Sequence, residues 1–184
     1  MDTAQEAPDT VILAEDEASL YLQATNKTVW AACGQTPLVR QHPGRENTHF
    51  YGALNLQTKE EIALRSPKMN AEVTALFLLK TLAAYPDKPI LLLWDRAPWH
   101  RGKPIRQVLA DHSRLQILFF PTAAPDLNPQ EHVWKEVRSQ VSHNHLETSL
   151  TVLADRFLAY LETHTFACSL LELHDYNTIC MMSK

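Results

Sequence analysis

The stretch PILLLWDRAPWH, residues 89–100, decides the fold that we predict for this chain. Residues 90–94 form a continuous apolar run between Pro89 and Pro98, and a run of this length is typical of a central strand buried on both faces. Asp95 follows the run directly. In open α/β sheets the functional crevice lies at the carboxyl ends of such strands, so Asp95 is either a working group or an ordinary turn or cap residue.

The length and composition of the chain indicate one ordinary globular domain. It has 184 residues, of which 45% are hydrophobic and 21% are charged, so it can bury a sizeable core. No apolar run approaches the ~20 residues that cross a bilayer, and no basic segment precedes an apolar one, so we expect a cytoplasmic protein. The cysteines are odd in number and lack a paired spacing, which favours reduced thiols at Cys33, Cys168 and Cys180.

The charge of the chain bears on its partners. Its net charge is −4 at pH 7, whereas a protein whose main task is to grip DNA is usually basic. We therefore expect this domain alone to hold nucleic acid weakly. Local basic stretches lie around Arg40, Arg96 and Lys135, and a solvated face is the ordinary explanation for each of them.

Hydrophobic periodicity predicts an α/β fold, a mixed sheet with helices packed against it. Residues 1–9 are expected to form a loose leader, residues 18–47 a long loop or arm, and residues 166–184 a weakly patterned tail. The predicted elements, in chain order, are strands at 10–15, 48–57 and 60–66, a helix at 70–84, a strand at 89–95, a helix at 102–112, a buried strand at 115–120, a helix beginning near Asn128 and a last helix at 147–164. A tight turn at Thr58 and Lys59 joins the second and third strands. Asn70 is expected to cap the first helix, whose inward face is predicted to consist of Ala75, Leu76, Leu79, Leu82 and Ala83.

Two predicted central strands run into acidic residues. The first strand ends among Glu15, Asp16 and Glu17, and the pattern alone does not decide which of these acids faces a site. The strand at 89–95 ends in Asp95. If the two strands are neighbours, Asp16 and Asp95 lie close together at one edge of the sheet.

A third acid follows the proline-rich stretch PTAAPDLNPQEHVW, residues 121–134. Asn128 as N-cap and Pro129 as the first helical residue make a strong helix start, which places Glu131 at the third helical position. A Glu there can reach back to the helix start as part of a capping box, or it can join the other acids over the sheet edge. Both roles remain open. The buried face of this helix is predicted to consist of Val133, Trp134, Val137 and Val141.

Three clustered carboxylates would imply a cation. Like charges repel one another unless something neutralises them. Hard divalent ions such as Mg²⁺ take oxygen ligands and leave positions open for phosphate and water, and a pair of them can clamp the oxygens of a phosphoryl displacement. The acids Asp16, Asp95 and Glu131 therefore suggest metal-dependent phosphoryl chemistry.

Three stretches resemble the acidic motifs of DDE transposases, most closely those of insertion sequences related to the mariner group. They are AEDEASL (14–20), LLLWDRAPWH (91–100) and LFFPTAAPDLNPQEHVW (118–134), and 35 residues lie between Asp95 and Glu131, a spacing in keeping with the family. The segment GQTPLVRQHPGR (34–45) also resembles a part of these proteins that clamps the partner subunit. The resemblance covers roughly residues 10–145.

The resemblance implies a ribonuclease H-like catalytic domain over residues 10–165. It also implies DNA cleavage and strand transfer with two Mg²⁺ or Mn²⁺ ions per site, acting in a homodimer on transposon ends and target DNA. The matching positions make Asp16, Asp95 and Glu131 the catalytic metal ligands, while Glu17 is not expected to bind metal directly. His100 matches a motif histidine that would support the site or contact DNA, and a structural histidine is the alternative. The DNA-contacting set would be Arg96, His100, Arg101, Lys103, Lys135 and Arg138, and the clamp arm would include Gln35, Pro37, Arg40 and Arg45.

Two departures from the family pattern keep other functions open. Arg96 stands where relatives usually carry Asn, and it could contact phosphate or compete with metal by pairing with Asp95. The chain also begins almost at its first catalytic strand, so we expect the helix-turn-helix region that reads DNA ends to be separate or missing. The alternatives are a transposase remnant that only dimerises or occupies DNA ends, and a ribonuclease H-like nuclease acting on other substrates.

Overall fold

The computed structural model describes residues 9–24, 27, 30–35, 45–121 and 128–166. It confirms the predicted mixed sheet flanked by helices. The elements are β1 (Val11–Tyr21), β2 (Asn47–Asn55), β3 (Glu61–Ser66), α1 (Ala71–Ala84), β4 (Ile90–Trp94), α2 (Lys103–Asp111), β5 (Leu115–Phe119), α3 (Gln130–Val137) and α4 (Leu150–Thr163). The five strands lie in the order β3-β2-β1-β4-β5. A 3₁₀ turn at Pro98–His100 follows β4, and a π-helical turn at Arg138–Ser142 follows α3.

Strand β1 is the centre of the sheet and is longer than predicted. It pairs antiparallel with β2 as far as Tyr21, whereas its parallel pairing with β4 extends from Val11–Ile90 to Ala14–Leu93. Asp16 therefore lies in the middle of β1, and the prediction that it ends the strand is wrong. The strand continues because β2 still offers it a hydrogen-bonding edge beyond β4. Asp16 and Asp95 nevertheless lie level with each other, each two positions beyond the Ala14–Leu93 pair.

Two layers of helices cover the two faces of the sheet. One apolar core lies between the sheet and helices α1 and α2, and the other lies beneath α3, the π-helical turn and α4. Side chains of β1 alternate between these cores, so that Leu13 belongs to the first and Ala18 to the second. The largest buried side chains of the first core are Tyr51, Phe77 and Trp94, and those of the second are Phe50, Trp134 and Phe157.

Capping and turn residues in the sequence predicted the helix starts correctly, whereas the hydrophobic pattern predicted the buried faces less well. Asn70 caps α1 as predicted, because its Oδ1 accepts a hydrogen bond from the Val73 amide at 3.0 Å. The predicted inward face of α1 is confirmed for Ala75 and Leu82, which are buried. It is wrong for Leu76, Leu79 and Ala83, which are exposed. The helix buries Phe77 and Leu78 instead, and apolar residues all round its circumference left the choice of face to tertiary packing. Strand β5 was wrongly expected to be buried: it is an edge strand whose Leu118 and Phe119 are exposed.

The arm and the termini are described only in part. The first four residues of the predicted arm continue β1, and the Leu22 amide then donates to the Glu46 carbonyl at 2.9 Å. At the other end, the Phe166 amide donates to the Lys59 carbonyl at 2.9 Å, and Phe166 is buried. The leader up to residue 8 and the tail from residue 167 lie outside the described residues. None of the helices in the described part has the length and apolar character needed to cross a membrane.

Candidate metal and nucleic-acid site

The structure brings the three predicted acids together at the carboxyl end of β4. Asp16 points to the face that α3 covers, because the Trp134 indole Nε1 donates a hydrogen bond to Asp16 Oδ2 at 3.1 Å. The negative charges of Glu131 and Asp95 both raise the pKa of Asp16, so each of these two carboxylates lies within electrostatic reach of Asp16. One central strand, the loop after its parallel neighbour and one helix thus supply one acid each.

The environment of Asp16 disfavours the ionised form of its carboxylate. Burial, followed by the charges of Glu131, Glu17 and Asp95, raises its pKa to about 7, while a hydrogen bond from the Glu17 backbone opposes the rise. A positive ion beside these groups would reverse the balance. Three carboxylates also supply the oxygen donors that hard divalent cations prefer. The residues present therefore fit Mg²⁺ or Mn²⁺.

Asp95 is fixed in the loop that follows β4. Its Oδ1 accepts a hydrogen bond from the Ala97 amide at 2.9 Å and lies 2.8 Å from His100 Nδ1. The His100 hydrogen bond, opposed by partial burial, holds the pKa of Asp95 below its usual range. The side chain remains 45% exposed, so the Asp95 carboxylate is oriented, ionised and accessible.

His100 is a buried bridge between the two sides of the site. Its ring stacks on Trp94 with centroids 4.1 Å apart, and its Nε2 lies 2.8 Å from Glu17 Oε1. Burial would lower the pKa of His100, but the hydrogen bonds to Asp95 and Glu17 raise it to about 9. Only 1% of the side chain is exposed. The predicted supporting role for His100 therefore fits the structure, whereas a DNA contact would require the ring to leave its place.

The alternation of β1 separates the three adjacent acids onto the two faces of the sheet. Asp16 faces α3, while Glu15 and Glu17 face the opposite side, where His100 lies. Glu15 is fully buried, and its Oε2 lies 3.8 Å from His100 Nε2. Burial and then the charges of Glu17 and Asp16 raise its pKa well above the usual value. The ligand atoms of Glu15, Glu17 and His100 lie within 4.8 Å of one another, a grouping that sequence reasoning missed because His100 is distant in the chain.

The start of α3 is tied to β1. Asn128 acts as the predicted cap, since its Oδ1 accepts from the Gln130 amide at 3.1 Å, although the helix proper begins at Gln130. The Asn128 Nδ2 group also donates to the Glu15 carbonyl at 3.3 Å. Glu131 is exposed, and no capping-box hydrogen bond from its side chain is found among the described residues. Its carboxylate is therefore available to a ligand.

A second, buried contact holds α3 against the edge strand β3 on the same face of the sheet. The Gln130 Nε2 group donates to Glu61 Oε1 on β3 at 2.6 Å, and both side chains are buried. Gly52 lies beneath this pair, and a Cβ atom there would collide with Glu61, Gln130 and Trp134. Gln130, Glu61 and Gly52 were not among the predicted site residues. The available signal was a carboxylate at an inward position of the predicted strand 60–66.

The basic residues of the predicted DNA surface have mixed environments. Arg96 is exposed, and its guanidinium lies 4.9 Å from the centroid of the Phe119 ring. In the described part of the chain it makes no ion pair with Asp95, whose partners are His100 and Ala97. The exposed members of the predicted DNA surface and clamp arm also include Arg101, Lys103, Lys135, Gln35 and Arg45. Arg138 is half-buried. Pro37 and Arg40 lie outside the described residues.

The chain is similar to a family of endonucleases and to two curated proteins of mobile elements. A family model described as DDE superfamily endonuclease matches residues 11–152. The chain is 26% identical over 153 residues to the insertion element IS630 uncharacterized 39 kDa protein of Shigella sonnei, a match that covers 81% of this chain and 44% of that protein. It is 31% identical over 111 residues to the transposable element Tc3 transposase of Caenorhabditis elegans, covering 57% of this chain and 33% of that one.

A solved structure shows the same fold. The chain superposes on the Mos1 transposase in its paired-end complex with the left transposon end, with a TM-score of 0.62 and 17% identity over 83% of this chain and 48% of that one. This likeness confirms the ribonuclease H-like architecture expected from the sequence. The chain spans less than half the length of the two curated relatives that it matches.

Proposed function

Since the chain belongs to the DDE superfamily endonuclease family, we propose that it is the catalytic domain of a transposase, which cleaves DNA and transfers strands with divalent metal ions. The observation that carries this proposal is the convergence of Asp16, Asp95 and Glu131 on one end of the sheet. The raised pKa of Asp16 supports a cation site, because the acids have been assembled despite their mutual repulsion.

In this proposal Asp16, Asp95 and Glu131 hold two Mg²⁺ or Mn²⁺ ions. When bound, such ions activate the attacking oxygen and neutralise the charge that develops on the phosphodiester and the leaving oxygen. The carboxylates act as ligands and not as proton carriers. That role agrees with Asp95, whose pKa is held low by His100 and which is therefore ionised at neutral pH.

The surrounding residues orient these ligands. His100 and the Ala97 amide fix the carboxylate of Asp95, and Asn128 fixes the start of the helix that carries Glu131. Arg96 is exposed directly after Asp95 and does not pair with it, which leaves its guanidinium free to approach a DNA phosphate. The position of Arg96 thus removes one argument for an inactive remnant.

The partners are also part of the proposal. We expect the exposed side chains of Arg101, Lys103 and Lys135 to contact the DNA backbone, because they are positively charged and follow Asp95 or Glu131 closely in the chain. Arg138, which is half-buried, would contribute less. A homodimer clamped by the segment that includes Gln35, Pro37, Arg40 and Arg45 would hold two DNA ends. Recognition of the end sequence would come from a helix-turn-helix region outside this chain.

The test is nicking of a supercoiled plasmid in Mg²⁺ or Mn²⁺ by the full chain. We expect Asp16→Asn, Asp95→Asn and Glu131→Gln each to abolish nicking, because each removes one anionic ligand without changing the shape of the side chain. Glu162→Gln, which changes an exposed acid on α4, is the matched control and should cleave normally.

Normal nicking by a verified Asp95→Asn protein would overturn the assignment. Cleavage of RNA–DNA hybrids in preference to plasmid DNA would favour a different ribonuclease H-like nuclease. A parent chain that neither nicks DNA nor binds Mn²⁺ would be a remnant.

A further inference from the structure

The buried indole of Trp134 performs a task beyond packing. The side chain is 1% exposed and its ring packs 6.4 Å from that of Phe157, between the sheet and α4. A buried indole N–H usually finds an acceptor, and here the acceptor is Oδ2 of Asp16 at 3.1 Å. The N–H therefore points away from the apolar core and into the acidic site.

Gly52 makes this arrangement sterically feasible. It is the partner of Asp16 in the antiparallel pairing of β1 and β2, so the two residues are neighbours on one face of the sheet. A Cβ atom at Gly52 would lie 2.6 Å from the Trp134 ring. The indole can reach Asp16 only because the adjacent strand presents bare backbone beneath it.

The same helix supplies both the donor and the third acid. Glu131 and Trp134 lie three positions apart on α3, which places them on adjacent turns of one side of the helix. Any displacement of α3 therefore moves Glu131 and the Asp16 donor together. The orientation of the Asp16 carboxylate is thereby coupled to the position of Glu131.

We propose that Trp134 is a positioning residue of the metal site, whose indole N–H, seated over Gly52, sets the orientation of the Asp16 carboxylate relative to Glu131. The inference rests on the proposed function, since it assumes that Asp16 is a metal ligand. Outer partners that orient a metal ligand typically change metal affinity by about 10–100-fold when they are removed. An indole cannot itself ligate the ion, so its effect must act through Asp16.

The experiment measures the affinity of the full chain for Mn²⁺ alone, by electron paramagnetic resonance titration without DNA. Trp134→Phe keeps an aromatic ring over Gly52 but removes the N–H, and we expect it to weaken Mn²⁺ binding about 10–100-fold. Val137→Ala is the matched control, because it removes buried surface from the same helix without touching the acids, and it should bind Mn²⁺ as the parent does.

A second variant separates the hydrogen bond from the fold. Benzothienylalanine at position 134 keeps the bicyclic shape and replaces only the N–H by sulfur, so it should reproduce the loss seen with Trp134→Phe even if that variant folds poorly. Binding within about twofold of the parent in the benzothienylalanine protein, while Asp16→Ala abolishes binding, would overturn the positioning role and leave the proposed function intact. A parent chain that binds no Mn²⁺ would overturn both.

Discussion

At the scale of single residues, the site depends on the buried, protonated side chain of His100. His100 links Asp95, which faces the proposed metals, to Glu17 on the other side of the sheet, and both contacts are 2.8 Å long. Its raised pKa of about 9 keeps the ring protonated at neutral pH. The protein thus uses its own positive charge to hold Asp95 ionised and oriented before any ligand arrives.

His100→Gln should lower the free energy of unfolding by about 3–5 kcal/mol, because it leaves the buried carboxylate of Glu17 without its charged partner. The measurement is urea unfolding at pH 7. The double variant His100→Gln with Glu17→Gln should recover part of the loss, since it removes both charges. A double variant less stable than His100→Gln alone would show that the pair is not the source of the effect.

At the scale of secondary structure, the site depends on the position of α3, which carries Glu131. Its start is bound to β1 through Asn128 and to β3 through Gln130, so that Glu131 lies between two anchors. The Glu61 partner of Gln130 is buried, and burial raises the pKa of Glu61 well above its usual value, opposed by the hydrogen bonds from Gln130 and the Ala53 backbone. This anchor therefore weakens the fold when it is ionised.

The stability of this anchor should depend on pH. A carboxyl group whose pKa is raised in the folded state contributes stability below its unfolded pKa, near 4.5 for Glu61, and loses that contribution as the pH rises through the folded value. Glu61→Gln is neutral throughout, so its free energy of unfolding should exceed that of the parent at pH 8, and the gap should narrow towards pH 4.

Urea unfolding at both pH values measures this difference. Glu60→Gln, which changes the adjacent exposed acid, should match the parent at both. The idea fails if Glu61→Gln is the less stable protein at pH 8.

The sequence predicted elements that carry strong local signals and missed features that depend on distant partners. The start of α3 was found because Asn128 and Pro129 form an unambiguous helix start, and all four residues of its expected buried face are buried. The extent of β1 was missed, because only the pairing with β2 keeps it extended after Asp16. The Gln130–Glu61 contact could not be predicted either, since Gln130 lies on α3 and Glu61 lies on β3, far apart in the chain.

At the scale of the whole molecule, the acidic site couples the sheet to the helices on one of its faces. Its three acids come from β1, from the loop after β4 and from α3, and these elements pack on one another only in the folded chain. An ion that binds the folded state and not the unfolded one stabilises the fold as a whole. The chain carries a net charge of −4, which also favours cation uptake.

Mn²⁺ at 100 times its dissociation constant should therefore add about 2.7 kcal/mol to the free energy of unfolding. Thermal melting with and without a chelator measures this gain. Asp16→Asn should abolish the response to Mn²⁺, whereas Glu17→Gln, which changes the neighbouring acid on the other face, should keep it. A response that survives Asp16→Asn and disappears in Glu17→Gln would move the ion to the Glu15, Glu17 and His100 group.

The spread of the three acids along the chain has a consequence for how the protein is made. Asp16 leaves the ribosome long before Glu131, and at about 5–20 residues per second the interval between them lasts roughly 6–23 s. The growing chain first carries Asp16 alone and later Asp16 with Asp95, and throughout this interval it lacks the helix that brings Glu131. The metal site that we propose therefore stays incomplete until Glu131 has been synthesised, which delays any cleavage of the nucleic acids around the ribosome.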